Sequence, residues 1–130
     1  MCGINGIYEF SGFKRSDDLI VKMNERLAQR GPDAEGVHRD EFVQFGHRRL
    51  SIIDVDERSN QPFKSADGKL VMVFNGEIYN YKEIKAKLPE YPFKTDSDTE
   101  VVLAAYEKWG ENCLRYFNGM FSIAIWNLEK

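Results

Sequence analysis

The second residue of the chain, Cys2, carries a side chain that could act as a nucleophile. If Met1 were removed, the thiol of Cys2 and a free α-amino group would lie on the same residue. An α-amino group titrates at roughly 7.7 to 8.0, so it could accept the thiol proton through a water molecule near neutral pH. Position alone favours a small side chain buried at the start of a strand, which is the commoner role of a free cysteine.

Asn75 and Gly76 follow a run of apolar residues and could supply donors for a developing oxyanion. Acyl transfer needs such donors, and this pair offers a side-chain amide and a backbone N–H. The same dipeptide is an ordinary hairpin signal, because both residues tolerate the left-handed conformations of a tight turn. On spacing alone, the hairpin is the favoured interpretation.

Arg49 and Asp98 are candidates for binding the two charges of an amino-acid substrate. A fixed cation would hold its carboxylate, and a fixed anion would hold its ammonium group. Apolar neighbours predict a partly buried strand around Arg49, while Asp98 falls in the first turn of a predicted helix, where the helix dipole favours an ionised carboxylate. The alternatives are a surface ion pair for Arg49 and simple helix capping for Asp98.

Composition excludes several other classes of function. The 130 residues include 18 basic and 21 acidic side chains, scattered along the chain, so nucleic acid is not an expected partner. No apolar run is long enough for a membrane span, and no signal peptide is apparent, which predicts a cytoplasmic protein. His38 and His47 show no metal-binding spacing with Cys2 or Cys113, and no phosphate loop is present, so we expect no metal and no nucleotide on this chain.

Both cysteines are expected to be reduced, although a single Cys2–Cys113 disulfide remains open on count alone.

The hydrophobic pattern predicts strands alternating irregularly with three helices. Strands are expected at 2–10, twice within 42–53, at 69–74 and at 120–126, the last buried on both faces. Helices are expected at 16–29 and after Asn80 and Ser97, each of which precedes a glutamate by three residues, the spacing of a capping box. Gly110 would end the third helix.

These elements predict one α+β domain over residues 1–130, with mainly antiparallel sheet. Because the chain ends soon after an apolar strand that would need a neighbour, we expect a fragment of a longer fold.

Six motifs in order resemble the class II glutamine amidotransferase domain of asparagine synthetases. The resemblance spans the chain and rests on MCGINGI at 1–7, RGPD at 30–33, GHRRLSIID at 46–54, QP at 61–62, NGEIYN at 75–80 and SDTE at 97–100. It implies an N-terminal nucleophile hydrolase fold, an αββα sandwich of two antiparallel sheets, truncated here at its C-terminal side.

The resemblance also implies a role for each matching residue. Cys2 would attack the side-chain amide of L-glutamine, and Asn75 with the N–H of Gly76 would hold the oxyanion. The substrate carboxylate would be bound by Arg49 and the following backbone, and its amino group by Glu77 and Asp98. That backbone comprises Leu50, Ser51, Ile52 and Ile53. ATP and Mg²⁺ are implied only for a synthetase domain that the chain lacks.

Three hypotheses remain open at this stage. The first is a glutaminase that supplies ammonia for amide transfer to aspartate or another carboxylate acceptor. The second is a domain that keeps Met1 and only binds glutamine, and the third is an assembly fragment. A truncated sandwich would be inactive or would complete its sheets by association, for example as a homodimer.

Overall fold

The computed structural model describes residues 2–13, 18–50 and 57–129. Within these ranges the chain forms β1 (Gly3–Tyr8), α1 (Leu19–Arg26), β2 (Ala34–Arg39), β3 (Val43–Arg49), β4 (Phe63–Lys64), β5 (Leu70–Ile78), α2 (Tyr81–Ala86), α3 (Asp98–Trp109) and β6 (Gly119–Asn127). Short 3-10 turns at Glu57–Ser59 and Gly110–Tyr116 complete the described elements.

The strands form two antiparallel sheets of three strands each. The first sheet has the order β1-β3-β2, with Gly3 opposite Arg48 and Ala34 opposite Arg49. The second has the order β4-β5-β6, with Phe63 opposite Met72 and Gly76 opposite Phe121. The predicted α+β class with antiparallel sheets is confirmed.

Two apolar clusters arrange these elements in four layers. One lies between the sheets and contains Val43 and Phe45 of β3 with Val71 and Val73 of β5. The larger lies between the second sheet and the helices α2 and α3. Helix α1 packs against β1 and β3 on the outer face of the first sheet. The layer order is therefore α1, first sheet, second sheet, α2 with α3.

Strand β5 is central because its apolar run serves both faces of its sheet. Successive side chains of a strand point to opposite faces. Val71 and Val73 accordingly enter the cluster between the sheets, and Met72 and Phe74 enter the cluster beneath the helices. All four are at most 2% exposed, as the unbroken apolar run predicts.

Helix α3 begins at a side-chain cap, as predicted. Ser97 lies just outside the helix, and its Oγ accepts a hydrogen bond from the N–H of Glu100 at 3.3 Å. The Glu100 carboxylate turns to the preceding loop, where it accepts from the N–H groups of Lys94 and Thr95. The Ser97 N–H donates to Thr95 Oγ1 instead of to Glu100, so the reciprocal bond of the predicted capping box was wrong. The helix ends at Gly110, whose φ of 59° favours glycine, so the predicted end of the helix is confirmed.

Several local predictions were wrong. The predicted turn at Asn75-Gly76 does not form, because β5 continues to Ile78 with β6 paired alongside. Asn80 precedes α2 but does not cap it, since its side chain bonds to Asn118 N–H and Tyr116 C=O instead.

Among the strands, neither β2 nor β4 was predicted, and one strand, β3, replaces the expected pair up to Arg49. Strand β6 is not buried on both faces, because Met120 is 61% exposed.

None of the described helices has the length and apolar character needed to cross a membrane.

Candidate active site

A cleft where the two sheets meet the start of α3 brings the predicted site residues together. Every predicted site residue in the described part of the chain lines it: Cys2, Arg49, Leu50, Asn75, Gly76, Glu77 and Asp98. Gln61, Phe74, Ser97 and Thr99 line it as well, although the sequence does not single them out as site residues. The predicted Ser51, Ile52 and Ile53 lie outside the described residues, as does Met1.

The thiol of Cys2 is held against the main chain at the end of β3. The N–H of Leu50 donates to Cys2 Sγ at 3.3 Å, and the Sγ lies 3.6 Å from the Leu50 carbonyl oxygen. The guanidinium of Arg30 donates through Nε to the Cys2 carbonyl oxygen at 3.3 Å. Cys2 is half-buried and lines the cleft. The contacts with Leu50 hold its sulfur in place there.

Arg49 closes one end of the cleft from the last position of β3. Only 7% of the residue is exposed, which fits the predicted partly buried strand and not a surface ion pair. Its guanidinium donates through Nη1 to Asn60 Oδ1 at 2.6 Å, and its carbonyl oxygen accepts from the N–H of Asp33 at 2.9 Å. A buried cation fixed in this way can bind a carboxylate that enters the cleft.

Asp98 and Glu77 place two carboxyl groups on the cleft. Asp98 is 5% exposed, and its Oδ2 accepts a hydrogen bond from the N–H of Ile78 at 3.0 Å. Burial raises the pKa of Asp98, and the nearby charge of Glu77 adds to that effect. Burial and the charge of Glu77 therefore oppose the helix dipole, which favours an ionised Asp98. A cation bound between Asp98 and Glu77 would favour the ionised forms of both.

Gly76 lies at a gap along one edge of β5. Alternate residues of a strand direct their N–H and C=O groups to the same side. On this side Met72 pairs with Phe63 of β4, Phe74 bonds to the side chain of Gln61, and the Ile78 N–H bonds to Asp98. Because β4 ends opposite Met72, no strand in the described part of the chain lies beside Gly76 here. Its N–H is directed into the cleft.

The backbone at Gly76 excludes a larger residue. Its φ is +155°, a conformation that residues with a side chain rarely adopt. A Cβ atom at this position would overlap the carbonyl oxygen of Met120 and would lie 2.6 Å from the Cα of Phe121. The close approach of β6 therefore requires glycine.

Asn75 has an amide oxygen, Oδ1, that is buried without a hydrogen-bond partner among the described residues. Buried polar atoms are usually paired in folded proteins. This oxygen can only accept a hydrogen bond, so a role of Asn75 in holding an oxyanion would fall to the Nδ2 amide group of the same side chain.

His47 and Gln61 contact the main chain next to Asn75, and the sequence reasoning gave neither a role. His47 is fully buried, and its Nε2 lies 3.2 Å from the Phe74 carbonyl oxygen. Burial lowers the pKa of His47 to about 4, so the ring is neutral at pH 7 and donates through Nε2. Gln61 was visible only as part of the QP motif, since a buried amide is hard to recognise from sequence.

The other cysteine does not take part in the cleft. Cys2 and Cys113 are both free cysteines in this structure, and their reduced state stays a prediction. Cys113 is buried beneath α3, and burial raises its pKa.

Comparison with known proteins identifies the family of the chain. A model of the glutamine amidotransferase domain matches residues 1–130. Asparagine synthetase [glutamine-hydrolyzing] 1 of Bacillus subtilis is 46% identical over 132 residues, covering 98% of this chain and 21% of that protein. Asparagine synthetase [glutamine-hydrolyzing] of Zea mays is 43% identical over 128 residues, covering 96% of this chain and 21% of that protein. The chain thus spans about a fifth of the length of these relatives.

The fold also has a solved counterpart. The glutamine phosphoribosylpyrophosphate amidotransferase of B. subtilis, complexed with ADP and GMP, superposes with a TM-score of 0.55 at 24% identity. The match covers 69% of this chain and 22% of that one, and it supports an N-terminal nucleophile hydrolase fold. The chain belongs to the glutamine amidotransferase domain family, of the type found in glutamine-hydrolysing asparagine synthetases.

Proposed function

We propose that this domain hydrolyses glutamine to glutamate and ammonia, and that the ammonia serves amide transfer to a carboxylate acceptor. The observation that carries the proposal is that all the described residues predicted for this reaction line the same cleft. Similarity to glutamine-hydrolysing asparagine synthetases supports aspartate as the acceptor.

Substrate binding follows from the charges around the cleft. Arg49 binds the α-carboxylate of glutamine, and Glu77 with Asp98 binds its α-ammonium group, so the side-chain amide points toward Cys2. Leu50 contributes its backbone, and the family resemblance implies the same role for Ser51, Ile52 and Ile53. Placing the two charged ends in this way orients the amide for attack.

The reaction then proceeds through a thioester. The α-amino group of Cys2, freed by removal of Met1, accepts the thiol proton while the sulfur attacks the amide carbon. Asn75 and the Gly76 N–H stabilise the oxyanion, the protonated amine leaves as ammonia, and the carbon–sulfur acyl bond remains. Water then attacks this thioester, releasing glutamate and the thiol.

No step of this proposal uses a metal or ATP. The described residues contain no group of three or more His, Cys, Asp or Glu side chains suited to a metal ion. ATP and Mg²⁺ would act in a synthetase domain that activates the acceptor, and such a domain is the partner that we propose. The cytoplasm remains the predicted compartment.

Intact mass measured before and after incubation with an electrophilic glutamine analogue tests the proposal. We expect loss of Met1 and one adduct in the wild-type chain, none in Cys2→Ala, and one in the control Cys113→Ala, whose thiol lies outside the cleft. Turnover of glutamine should disappear in Cys2→Ala alone. Retained Met1 with saturable glutamine binding would instead indicate a domain that only binds glutamine.

A further inference from the structure

The side chain of Gln61 occupies the place of a missing strand beside β5. In an antiparallel pair, one residue exchanges both its N–H and its C=O hydrogen bonds with the residue opposite. Strand β4 provides this pairing as far as Phe63, opposite Met72. Continued by two residues, the same register places Gln61 opposite Phe74, the next residue of β5 whose N–H and C=O face this side.

The carboxamide of Gln61 makes the two bonds that such a strand would have made to Phe74. Gln61 Oε1 accepts from the Phe74 N–H at 2.5 Å, and its Nε2 donates to the Phe74 carbonyl oxygen at 3.1 Å. Gln61 is 6% exposed, so water competes little for these bonds. His47 adds a second donor to the same carbonyl oxygen at 3.2 Å.

This pairing acts directly on the groups proposed to hold the oxyanion. The Phe74 carbonyl belongs to the peptide that leads into Asn75, and the N–H of Gly76 points to the same edge two residues later. On the other side of Gly76, the N–H of Ile78 donates a hydrogen bond to the carboxylate of Asp98. The main chain is thus fixed on both sides of Gly76, and the first of these supports is a side chain from another segment.

We propose that Gln61 is a positioning residue of the glutaminase site, which fixes the direction of the Gly76 N–H and of Asn75 by pairing with Phe74. The inference rests on the proposed function. Gln61 does not need to touch the substrate for this role. Its loss should impair stabilisation of the oxyanion while leaving the binding of the substrate's charged end and the reactivity of the thiol intact.

Gln61→Leu tests this role, with Gln44→Leu as a matched control. Gln44 is also a buried glutamine, 5% exposed, but it lies on β3 and does not line the cleft. For Gln61→Leu we expect kcat for glutamine to fall by about 100-fold, the loss that a small misplacement of catalytic groups can cause. KM and the rate of Cys2 alkylation by iodoacetamide, which needs no oxyanion donor, should change by less than roughly threefold. Gln44→Leu should leave all three values near those of the wild type.

An unchanged kcat in Gln61→Leu would overturn the proposal. So would a loss of Cys2 alkylation in parallel with kcat, because that result would indicate only a disturbed fold. Gln61→Met, which is unbranched and of similar length, provides a second variant if the leucine variant does not fold.

Amide hydrogen exchange tests the pairing without turnover. In the wild-type chain the Phe74 N–H should be protected like that of Met72, and in Gln61→Leu or Gln61→Met the Phe74 protection should be lost first. Rapid exchange of Phe74 in the wild type would overturn the inference. If exchange behaves as expected but the wild-type chain does not hydrolyse glutamine, the proposed function has failed although the pairing exists.

Discussion

The carboxyl group of Asp98 has a structural role and a proposed binding role, and an experiment can separate the two. One oxygen accepts from the N–H of Ile78, and the group as a whole carries the charge proposed for the substrate's ammonium. An asparagine in place of this aspartate would keep an acceptor for the Ile78 N–H but would lose the charge.

For Asp98→Asn we expect glutamine binding to weaken by roughly 10- to 100-fold, because a hydrogen bond to a charged group contributes about 1.5–3 kcal/mol. Titration calorimetry in the Cys2→Ala background measures the change. Asp96→Asn is the control, since the Asp96 side chain is 97% exposed and lies at a surface pair with Lys85. Equal weakening in both variants would contradict the proposed role.

His47 should make the stability of the fold depend on acid. Burial lowers its pKa from 6.5 to about 4, so between these values the unfolded chain binds more protons than the folded chain. The contribution of His47 to stability is therefore complete above pH 6.5 and is lost as the pH falls toward 4, amounting to about 3 kcal/mol. Urea unfolding of the wild type and His47→Gln at pH 7 and pH 4.5 measures it. The difference between the two proteins should shift with pH, and a constant difference would refute the assignment.

At the scale of elements, the start of α3 depends on one hydroxyl group. Ser97 caps the helix and also contacts Thr95, and the helix delivers Asp98 to the cleft. We expect Ser97→Ala to lower the free energy of unfolding by about 1 kcal/mol, the usual cost of a lost N-cap. Urea unfolding checks this value against Ser11→Ala, in which an exposed hydroxyl bonded only to Glu9 among the described residues is removed. Equal stability of the two variants would show that the cap contributes nothing.

The elements that the sequence predicted well are those with a strong local signal. The apolar run of β5 and the serine cap of α3 appear where expected, because burial on both faces and capping leave clear patterns. Strand β2, Ala34–Arg39, was missed because its residues are half-buried or exposed, and its pairing with β3 decides its conformation.

The motifs predicted the residues that line the cleft, but they did not predict the residues that hold the main chain behind it. The turn expected at Asn75-Gly76 failed because β6 pairs along β5 and overrides the local preference of the dipeptide. Gln61 and His47 act through the main chain of Phe74. Such contacts depend on which segments meet in the folded chain, so the local sequence pattern does not predict them.

At the scale of the whole molecule, the edges formed by β1 and β6 expose aromatic side chains. Phe10 is 83% exposed, and its ring meets the ring of Tyr8 in an edge-to-face contact. Tyr8 in turn contacts Trp126 of β6. Exposed apolar groups beside open strand edges favour association with another chain.

We expect the chain to self-associate as its concentration rises, and Phe10→Lys to reduce this association with little change in stability. Sedimentation velocity over a range of concentrations measures the effect. Leu114→Lys is the control, because Leu114 is an exposed apolar residue too, at 52%, but lies in the 3-10 turn after α3. A wild-type chain that stays monomeric at every concentration would contradict the expectation.

The contact between Gly76 and β6 has a consequence for the timing of synthesis. Cys2, the proposed nucleophile, leaves the ribosome near the very start of the chain, whereas the strand that packs against Gly76 is the last described element to be made. A nascent chain therefore carries Cys2 well before β6 packs against Gly76. On the proposed function, cleavage of glutamine would begin only after β6 has emerged and paired with β5.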